Sequence, residues 1–276
     1  MTDQYAVIGH PISHSKSPLI HSRFATQTGQ DMHYVALPAP LDGFVTTVRE
    51  FVTAGGRGMN VTVPFKEEAF RLATRLTPRA AAAGAVNTLS FEGTEILGDN
   101  TDGAGIVRDI TVNLGQPIAG RRVLLLGAGG AARGTVLPLL QETPACLVVA
   151  NRTVDKARAL VTELATALAT HGATMQACGF DELVGREFDI VINATSSGLS
   201  DAVLATPDGV FARGCLAYEM LYGRETPFMA QARRASIGVR VADGLGMLVE
   251  QAAEAFFIWR GVRPDTAPLL AELRAA

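Results

Sequence analysis

Three polar clusters interrupt otherwise apolar, strand-like runs in the first hundred residues. They are Ser13-His14-Ser15-Lys16-Ser17-Pro18, then Asn60-Val61-Thr62-Val63-Pro64-Phe65-Lys66, then Asn87 with Asp99-Asn100-Thr101-Asp102-Gly103. Each falls at or near a predicted strand end, where open α/β sheets collect ligands. Hydroxyls, amides, lysine and a carboxylate suit a polyhydroxylated substrate bearing its own carboxylate better than an apolar ligand.

A second kind of chemistry is written at Gly127-Ala128-Gly129-Gly130-Ala131-Ala132. The segment follows the apolar run Val123–Leu126 and opens a predicted helix, in the form G-x-G-x-x-G/A with Ala132 third. Glycines there let the backbone turn tightly and approach a pyrophosphate, which helix N-terminal N–H groups can meet. An NAD-binding chain places an acid about 20 residues further on, against the ribose 2′-hydroxyl. Here the next strand ends Ala150-Asn151-Arg152-Thr153, with Lys156 one turn on and no acid at the strand end. A carboxylate would repel a 2′-phosphate, whereas a guanidinium grips it bidentately. The cofactor expected is therefore NADP.

Other matches carry less. Ser13-x-x-Lys16 has the S-x-x-K spacing of penicillin-binding enzymes, but their S-D-N and K-T-G partners are absent. His10, His14 and His21 suggest metal, yet Pro11 breaks any helix that would align the first two and no acid cluster stands near. No metal is expected.

The elements that must position these residues alternate between short β-branched runs and longer amphipathic stretches, which argues for βαβ units and a mainly parallel sheet. Strands are predicted near 5–8, 33–37, 59–63, 88–91, 123–126, 147–150, 190–193, 216–220 and 239–241. Helices are predicted at 18–28, with Ser17 as N-cap and Pro18 at the first helical position, and at 41–54, 154–171, 247–260 and 267–276. Another helix runs through Asp109 toward Gly115 and Pro117.

The chain has 276 residues, 48% hydrophobic and 18% charged, enough for two unequal cores. With 28 glycines and 6% aromatic residues it suits an α/β architecture rich in tight strand-to-helix turns. A net charge of −3 without a basic run argues against nucleic acid and anionic membranes as partners. Cys146, Cys178 and Cys215 are odd in number and far apart, and read as reduced, buried small residues of a cytoplasmic protein. The strand at Tyr5–Ile8 begins too early for a signal peptide, and no apolar run approaches the ~20 residues of a membrane span.

Taken in order, G-x-P-I-x-H-S-K-S-P at Gly9–Pro18, N-V-T-x-P-x-K at Asn60–Lys66, A-V-N-T at Ala85–Thr88 and G-x-N-T-D-G at Gly98–Gly103 resemble the shikimate dehydrogenase family. So do G-A-G-G-A-A-R at Gly127–Arg133, N-R-T at Asn151–Thr153, N-A-T-S-x-G at Asn193–Gly198, T-P-F at Thr226–Phe228 and D-G-L-G-M-L-V-x-Q at Asp243–Gln251. The motifs cover essentially the whole chain. One departure is visible: Glu219 precedes Met220 where the family pattern has Asp.

The resemblance implies two α/β domains: residues 1–104 plus 244–276 for substrate binding and catalysis, and residues 105–243 as an inserted Rossmann-type NADP-binding domain, with the C-terminal helices returning to the first. It implies that Ser15 and Ser17 bind the substrate carboxylate, that Thr62, Asn87, Tyr222 and Gln251 contact the carboxylate or ring hydroxyls, and that Lys66 and Asp102 form the catalytic pair. Gly127, Ala128, Gly129, Gly130 and Ala131 would hold the pyrophosphate, and Asn151, Arg152, Thr153 and Lys156 the 2′-phosphate end. Thr195, Met220, Gly244 and Met247 would lie along the nicotinamide half.

The activity so implied is reversible, NADPH-dependent reduction of 3-dehydroshikimate to shikimate, a step toward chorismate and the aromatic amino acids. A small-molecule substrate is then the expected partner, and a homodimer is compatible with the reading. The rivals are a quinate/shikimate dehydrogenase of relaxed substrate or cofactor use, which would want an acid near Arg152, and a non-catalytic NADPH-binding sensor, which would not need Lys66 and Asp102. A tetrahydrofolate-linked dehydrogenase would share the two-domain plan but not the serine-rich Ser13–Ser17 segment.

Overall fold

The computed structural model describes residues 2–168, 174–197, 202–235 and 237–275. The chain divides into two compact units, residues 1–105 with 248–276, and residues 106–247.

The first unit is built on β1 (Asp3–Gly9), β2 (Met32–Pro38), β3 (Gly56–Val61), β4 (Arg75–Leu76), β5 (Thr88–Glu92) and β6 (Glu95–Asp99), in the order β2-β1-β3-β5-β6-β4. β1 runs parallel to β2 and β3, whereas β5 is antiparallel to both β3 and β6. The second unit holds β7 (Arg122–Leu126), β8 (Cys146–Ala150), β9 (Thr174–Cys178), β10 (Phe188–Asn193), β11 (Phe211–Glu219) and β12 (Arg240–Ala242). Their order is β12-β11-β10-β7-β8-β9, with every pair parallel. The chain therefore winds outward from β7 to β9, then returns to β10 and winds the other way. That reversal makes a switch point between β7 and β10, the Rossmann-type arrangement in which ligands lie beyond the strand carboxyl ends.

The helices are α1 (Ser17–Thr28), α2 (Phe44–Thr53), α3 (Lys66–Leu72), α4 (Pro78–Ala83), α5 (Asp102–Arg108), α6 (Gly130–Gln141), α7 (Val154–Leu168), α8 (Pro227–Ala235), α9 (Leu245–Arg260) and α10 (Ala267–Ala275). Strand periodicity explains the two layers over the first sheet, since successive side chains face opposite ways. Ala6 and Ile8 join Phe44, Val48, Met59, Val61 and Phe65 in one buried cluster. Tyr5 and Val7 join Ile12, Tyr34 and Trp259 in another. In the second sheet Leu124, Leu126, Val148, Ala150, Val191 and Ala217 are buried with Phe188 and Phe228.

Several elements differ from the sequence expectation for local reasons. Ser17 is the first residue of α1 rather than its N-cap; Lys16 holds the cap position without a side-chain bond, and Ser15 Oγ accepts the Ser17 N–H at 3.2 Å. The serine two residues earlier thus does the capping chemistry. β3 stops at Val61, and Phe65 N–H donates to Thr62 O at 3.0 Å, a tight turn around Pro64 that leads directly into α3. α2 starts at Phe44, after Gly43, and not at Leu41. The helix through Asp109 is α5, followed by one π-helical turn over Asp109–Asn113. β11 begins at Phe211, five residues before the expected strand. The predicted helix ends at 169–171 and at Ala276 lie outside the described residues. β4, β6, β9, α3, α4 and α8 have no counterpart in the sequence expectation.

Behind α1 lies a buried aromatic stack. His21 sits ring-on-ring with Tyr34 at 4.1 Å and 6°, and 5.5 Å from Trp259. The ring is wholly inaccessible, and neither nitrogen has an aligned hydrogen-bond partner among the described residues. Burial outweighs the nearby Asn60 side chain and drives the His21 pKa down from 6.5 to about 3. The unfolded chain takes up a proton near pH 6.5 that the folded chain refuses, so this stability is complete above pH 6.5 and drains away as pH falls toward 3. Each unit of acidification in that window costs about 1.4 kcal/mol. Between pH 7.5 and 5, wild-type unfolding free energy should fall by about 2 kcal/mol more than that of His21→Phe. Denaturant titrations followed by fluorescence of the single tryptophan, Trp259, measure it; identical pH slopes in the two proteins would contradict it.

Candidate active site

In the first unit, register places the polar clusters together. Asn60 on β3 is opposite Thr88 on β5, and Thr88 is opposite Asp99 on β6. Because β5 runs antiparallel, its start lies at the carboxyl ends of β3 and β6, so Asn87 comes up beside Asp102. Lys66 opens α3 and Asp102 opens α5. A carboxylate is favoured at the positive end of a helix and an ammonium is not, so Asp102 compensates the location of Lys66.

Lys66 Nζ donates to Asp102 Oδ2 at 2.6 Å, with the carboxylate largely buried and the ammonium side chain 30% exposed. The other carboxylate oxygen, Oδ1, accepts from Asn87 Nδ2 at 2.8 Å. Asn87 is itself fixed: its Oδ1 accepts the Thr101 N–H at 2.8 Å and the Thr88 hydroxyl at 2.9 Å. Gln251 Oε1 lies 3.5 Å from Asn87 Nδ2 and 3.4 Å from Thr101 Oγ1. Lys66, Asn87, Asp102 and Gln251 are thus one connected group.

Ser15 and Ser17 follow β1, Ser17 buried and Ser15 half-buried. Thr62, half-buried after β3, is tied back by its N–H to Ile8 O at 3.0 Å, which sets it next to the β1 end. Beneath them Tyr34 OH donates to Asn60 Oδ1 at 2.7 Å, and Asn60 Nδ2 to Thr88 Oγ1 at 3.1 Å. Thr88 and Thr101 stand inside the polar motifs but carry no assigned role in the sequence, and Tyr34 is unmarked there; strand register brings all three under the site.

A charged layer supports the same group. Arg79 makes a two-pronged contact with Asp99, Nε to Oδ1 at 2.7 Å and Nη2 to Oδ2 at 2.8 Å, and its Nη1 reaches Glu254 at 3.0 Å. Burial works against ionising Asp99, but the Arg79 guanidinium and the Thr77 and Asn100 donors more than offset it and hold its carboxyl below the usual range. Asp99 is three residues before Asp102, and Glu254 three after Gln251, so this pairing braces both from behind.

In the second unit, the expected cofactor residues gather at the carboxyl ends of β7, β8, β10, β11 and β12. Gly127 has φ +108° and would bring a Cβ to 3.1 Å from Ala194 O, so only glycine fits the turn. Gly129, Gly130 and Ala131 are exposed at the start of α6, where N–H groups have no helical partner. Ala128 is half-buried between them. At the end of β8, Asn151 Nδ2 donates to Thr153 O at 2.8 Å, and Arg152, Thr153 and Lys156 are exposed. No salt bridge engages Arg152 or Lys156 among the described residues. An open helix start followed by uncompensated cations fits a dinucleotide that ends in a phosphate.

Thr195 follows β10, and Met220 follows β11 with its N–H donating to Asn193 O at 3.1 Å. Gly244 N–H donates to Leu221 O at 3.0 Å, and a Cβ on Gly244 would stand 2.1 Å from Met220 O. Met247 is buried in the first turn of α9. Tyr222, half-buried in the turn after β11, also belongs to this unit, unlike the other residues expected to touch substrate. Burial raises its phenol pKa. Among the described residues no group of His, Cys, Asp and Glu could hold a metal ion, and no helix is long and apolar enough to cross a membrane.

Comparison with known proteins gives this geometry a family. Residues 7–89 match the shikimate dehydrogenase substrate binding domain, residues 110–203 the shikimate/quinate 5-dehydrogenase model, and residues 244–274 the shikimate 5′-dehydrogenase C-terminal domain. The shikimate dehydrogenase (NADP(+)) of Dechloromonas aromatica is 61% identical over 276 residues, covering 100% of this chain and 98% of that protein. Among solved structures, an Ael1 enzyme from Pseudomonas putida superposes with a TM-score of 0.92 at 50% identity, covering 99% of this chain and 98% of the other. The shikimate 5-dehydrogenase of Thermus thermophilus, solved with NADP(H) and shikimate, superposes with a TM-score of 0.84 at 30% identity over 99% of each chain. The chain belongs to the shikimate dehydrogenase family.

Proposed function

We propose that the protein is an NADP-dependent shikimate dehydrogenase that reduces 3-dehydroshikimate to shikimate and runs the reverse oxidation. The observation that carries this is the Lys66–Asp102 contact at 2.6 Å, with Asn87 on the second carboxylate oxygen. In this reading residues 1–104 with 244–276 bind substrate and residues 105–243 bind NADP. Ser15 and Ser17, after the end of β1, hold the substrate carboxylate. Thr62, Asn87, Gln251 and Tyr222 contact the carboxylate or the ring hydroxyls. A cytoplasmic location accords with three unpaired thiols. A homodimer belongs to the same proposal, and sedimentation velocity decides it.

Bound NADPH supplies the hydride. The protein must then meet the negative charge that grows on the carbonyl oxygen. Lys66 does so twice over: its ammonium attracts the developing alkoxide and then gives it a proton, leaving a neutral amine and a secondary alcohol. Asp102 keeps the ammonium aimed, and Asn87 keeps Asp102 from turning away. In the oxidative direction the amine removes the hydroxyl proton. Gly127–Ala131 receive the pyrophosphate, Asn151, Arg152, Thr153 and Lys156 the 2′-phosphate, and Thr195, Met220, Gly244 and Met247 line the nicotinamide half.

Shikimate-dependent reduction of NADP, followed at 340 nm with quinate and NAD run in parallel, tests the assignment; a clear preference for quinate or for NAD would overturn it. Lys66→Ala should lower kcat by roughly 10²–10⁴-fold with a far smaller change in KM for shikimate. An unchanged kcat with a raised KM would remove Lys66 from the chemistry. Arg152→Asp should weaken NADP roughly tenfold or more, the worth of a charge-assisted bond, while leaving NAD nearly untouched. Equal losses for both cofactors would mean that Arg152 does not read the phosphate.

A further inference from the structure

Glu219 ends β11 with no accessible surface, although a carboxylate taken out of water is costly unless every lone pair is met. Three segments meet it. Asn193, its register partner on β10, donates from Nδ2 to Oε2 at 2.7 Å. The Thr226 hydroxyl donates to the same oxygen at 2.9 Å, and the Leu221 N–H donates to Oε1 at 3.1 Å. Burial pushes the Glu219 carboxyl pKa up, and these donors hold it back only in part.

What the three segments carry gives the contact its meaning. Asn193 passes the constraint on: its Oδ1 accepts both the N–H and the hydroxyl of Thr195, at 3.1 and 2.7 Å, and Thr195 Oγ1 lies 2.7 Å from Ser197 Oγ. Leu221 lies between Met220 and Tyr222, and its carbonyl accepts the Gly244 N–H at 3.0 Å. Thr226 Oγ1 accepts the Met229 N–H at 3.3 Å at the start of α8, and its bond to Glu219 closes the segment that holds Tyr222. One buried carboxylate is therefore the common anchor of Thr195, Met220, Tyr222 and Gly244.

We propose that Glu219 is a positioning residue that sets the loop after β10 and the turn after β11 at one fixed separation, so that the nicotinamide-facing residues act as a unit. This role rests on reading Thr195, Met220 and Gly244 as lining the nicotinamide half of the NADP site. A purely structural anchor would change stability only. A positioning anchor changes binding and turnover through Thr195, and so couples to it.

The test is a double-mutant cycle between Glu219→Gln and Thr195→Ala, read as NADPH Kd by cofactor fluorescence and as kcat with shikimate, on proteins whose thermal melts show them folded. Glu219→Gln should raise Kd about tenfold and lower kcat at least as much, and adding Thr195→Ala should cost almost nothing more, since contacting residues in one network are non-additive. Glu219→Asp, which keeps the charge on a shorter arm, should recover kcat to within about threefold of wild type. Should Glu219→Gln not fold, Thr226→Val removes one donor at similar volume and should lower kcat about three- to fivefold. Wild-type Kd and kcat in folded Glu219→Gln or Thr226→Val, or losses that simply multiply with Thr195→Ala, would overturn the proposal. Failure of the wild-type protein to oxidise shikimate would instead overturn the function, while the Kd cycle still decides Glu219.

Discussion

The arrangement depends on a carboxylate that is committed on both sides. Asp102 binds the Lys66 ammonium through one oxygen and the Asn87 amide through the other, so it cannot rotate without breaking a bond. A lysine has four rotatable bonds and a strongly hydrated head, and would otherwise spread over many positions. Here one geometry is selected, with 30% of the side chain still open to a ligand. The rest of the first unit serves that selection. The antiparallel hairpin delivers Asn87, the Thr88 and Thr101 contacts fix its amide, and Arg79 clamps the backbone just before Asp102 through Asp99.

The second unit solves a different problem, which is to bring several strand ends to one long ligand. Parallel pairing puts the ends of β7, β8, β10 and β11 on one side, and the reversal after β9 opens the gap that the glycine turn lines. Side chains stay out of the way at Gly244, where a single methyl would collide with the Met220 backbone, and at Gly127, where φ is +108°. Buried polar residues then fix the loops that strand pairing leaves free. Asp109 receives the Tyr218 hydroxyl at 2.6 Å and the Asn113 amide at 3.0 Å, much as Glu219 receives Asn193 and Thr226. Burial beside that carboxylate holds the Tyr218 phenol pKa well above its ordinary value, so it remains a donor.

Much of this was legible in the chain. The glycine turn could be read because strand, turn and helix are contiguous there, and the lack of an acid after Ala150 is a statement about one position. The polar clusters could be read because they interrupt apolar runs. What escaped reading depends on pairing between distant segments. β4 is two residues long and has no pattern of its own, and β6 exists because β5 turns back on it. Tyr34 looks like an ordinary strand residue, and Thr88 and Thr101 stand in the motifs without a role, until register sets them under Asn87. Ser17 has the type and place of an N-cap, and only the turn that starts at Ile12 shifts that work to Ser15. Glu219 reads as a mild substitution for Asp, and its three partners come from segments up to 26 residues away.

The central claim is that a lysine ammonium, aimed by Asp102, delivers the proton. Chemical rescue tests it most directly. With Lys66 replaced by alanine, small primary amines added to the assay should restore turnover saturably and in step with amine basicity, because the site keeps the Asp102 carboxylate that would hold them. No rescue by any amine, in a variant that still binds shikimate and NADPH with wild-type affinity, would contradict the account.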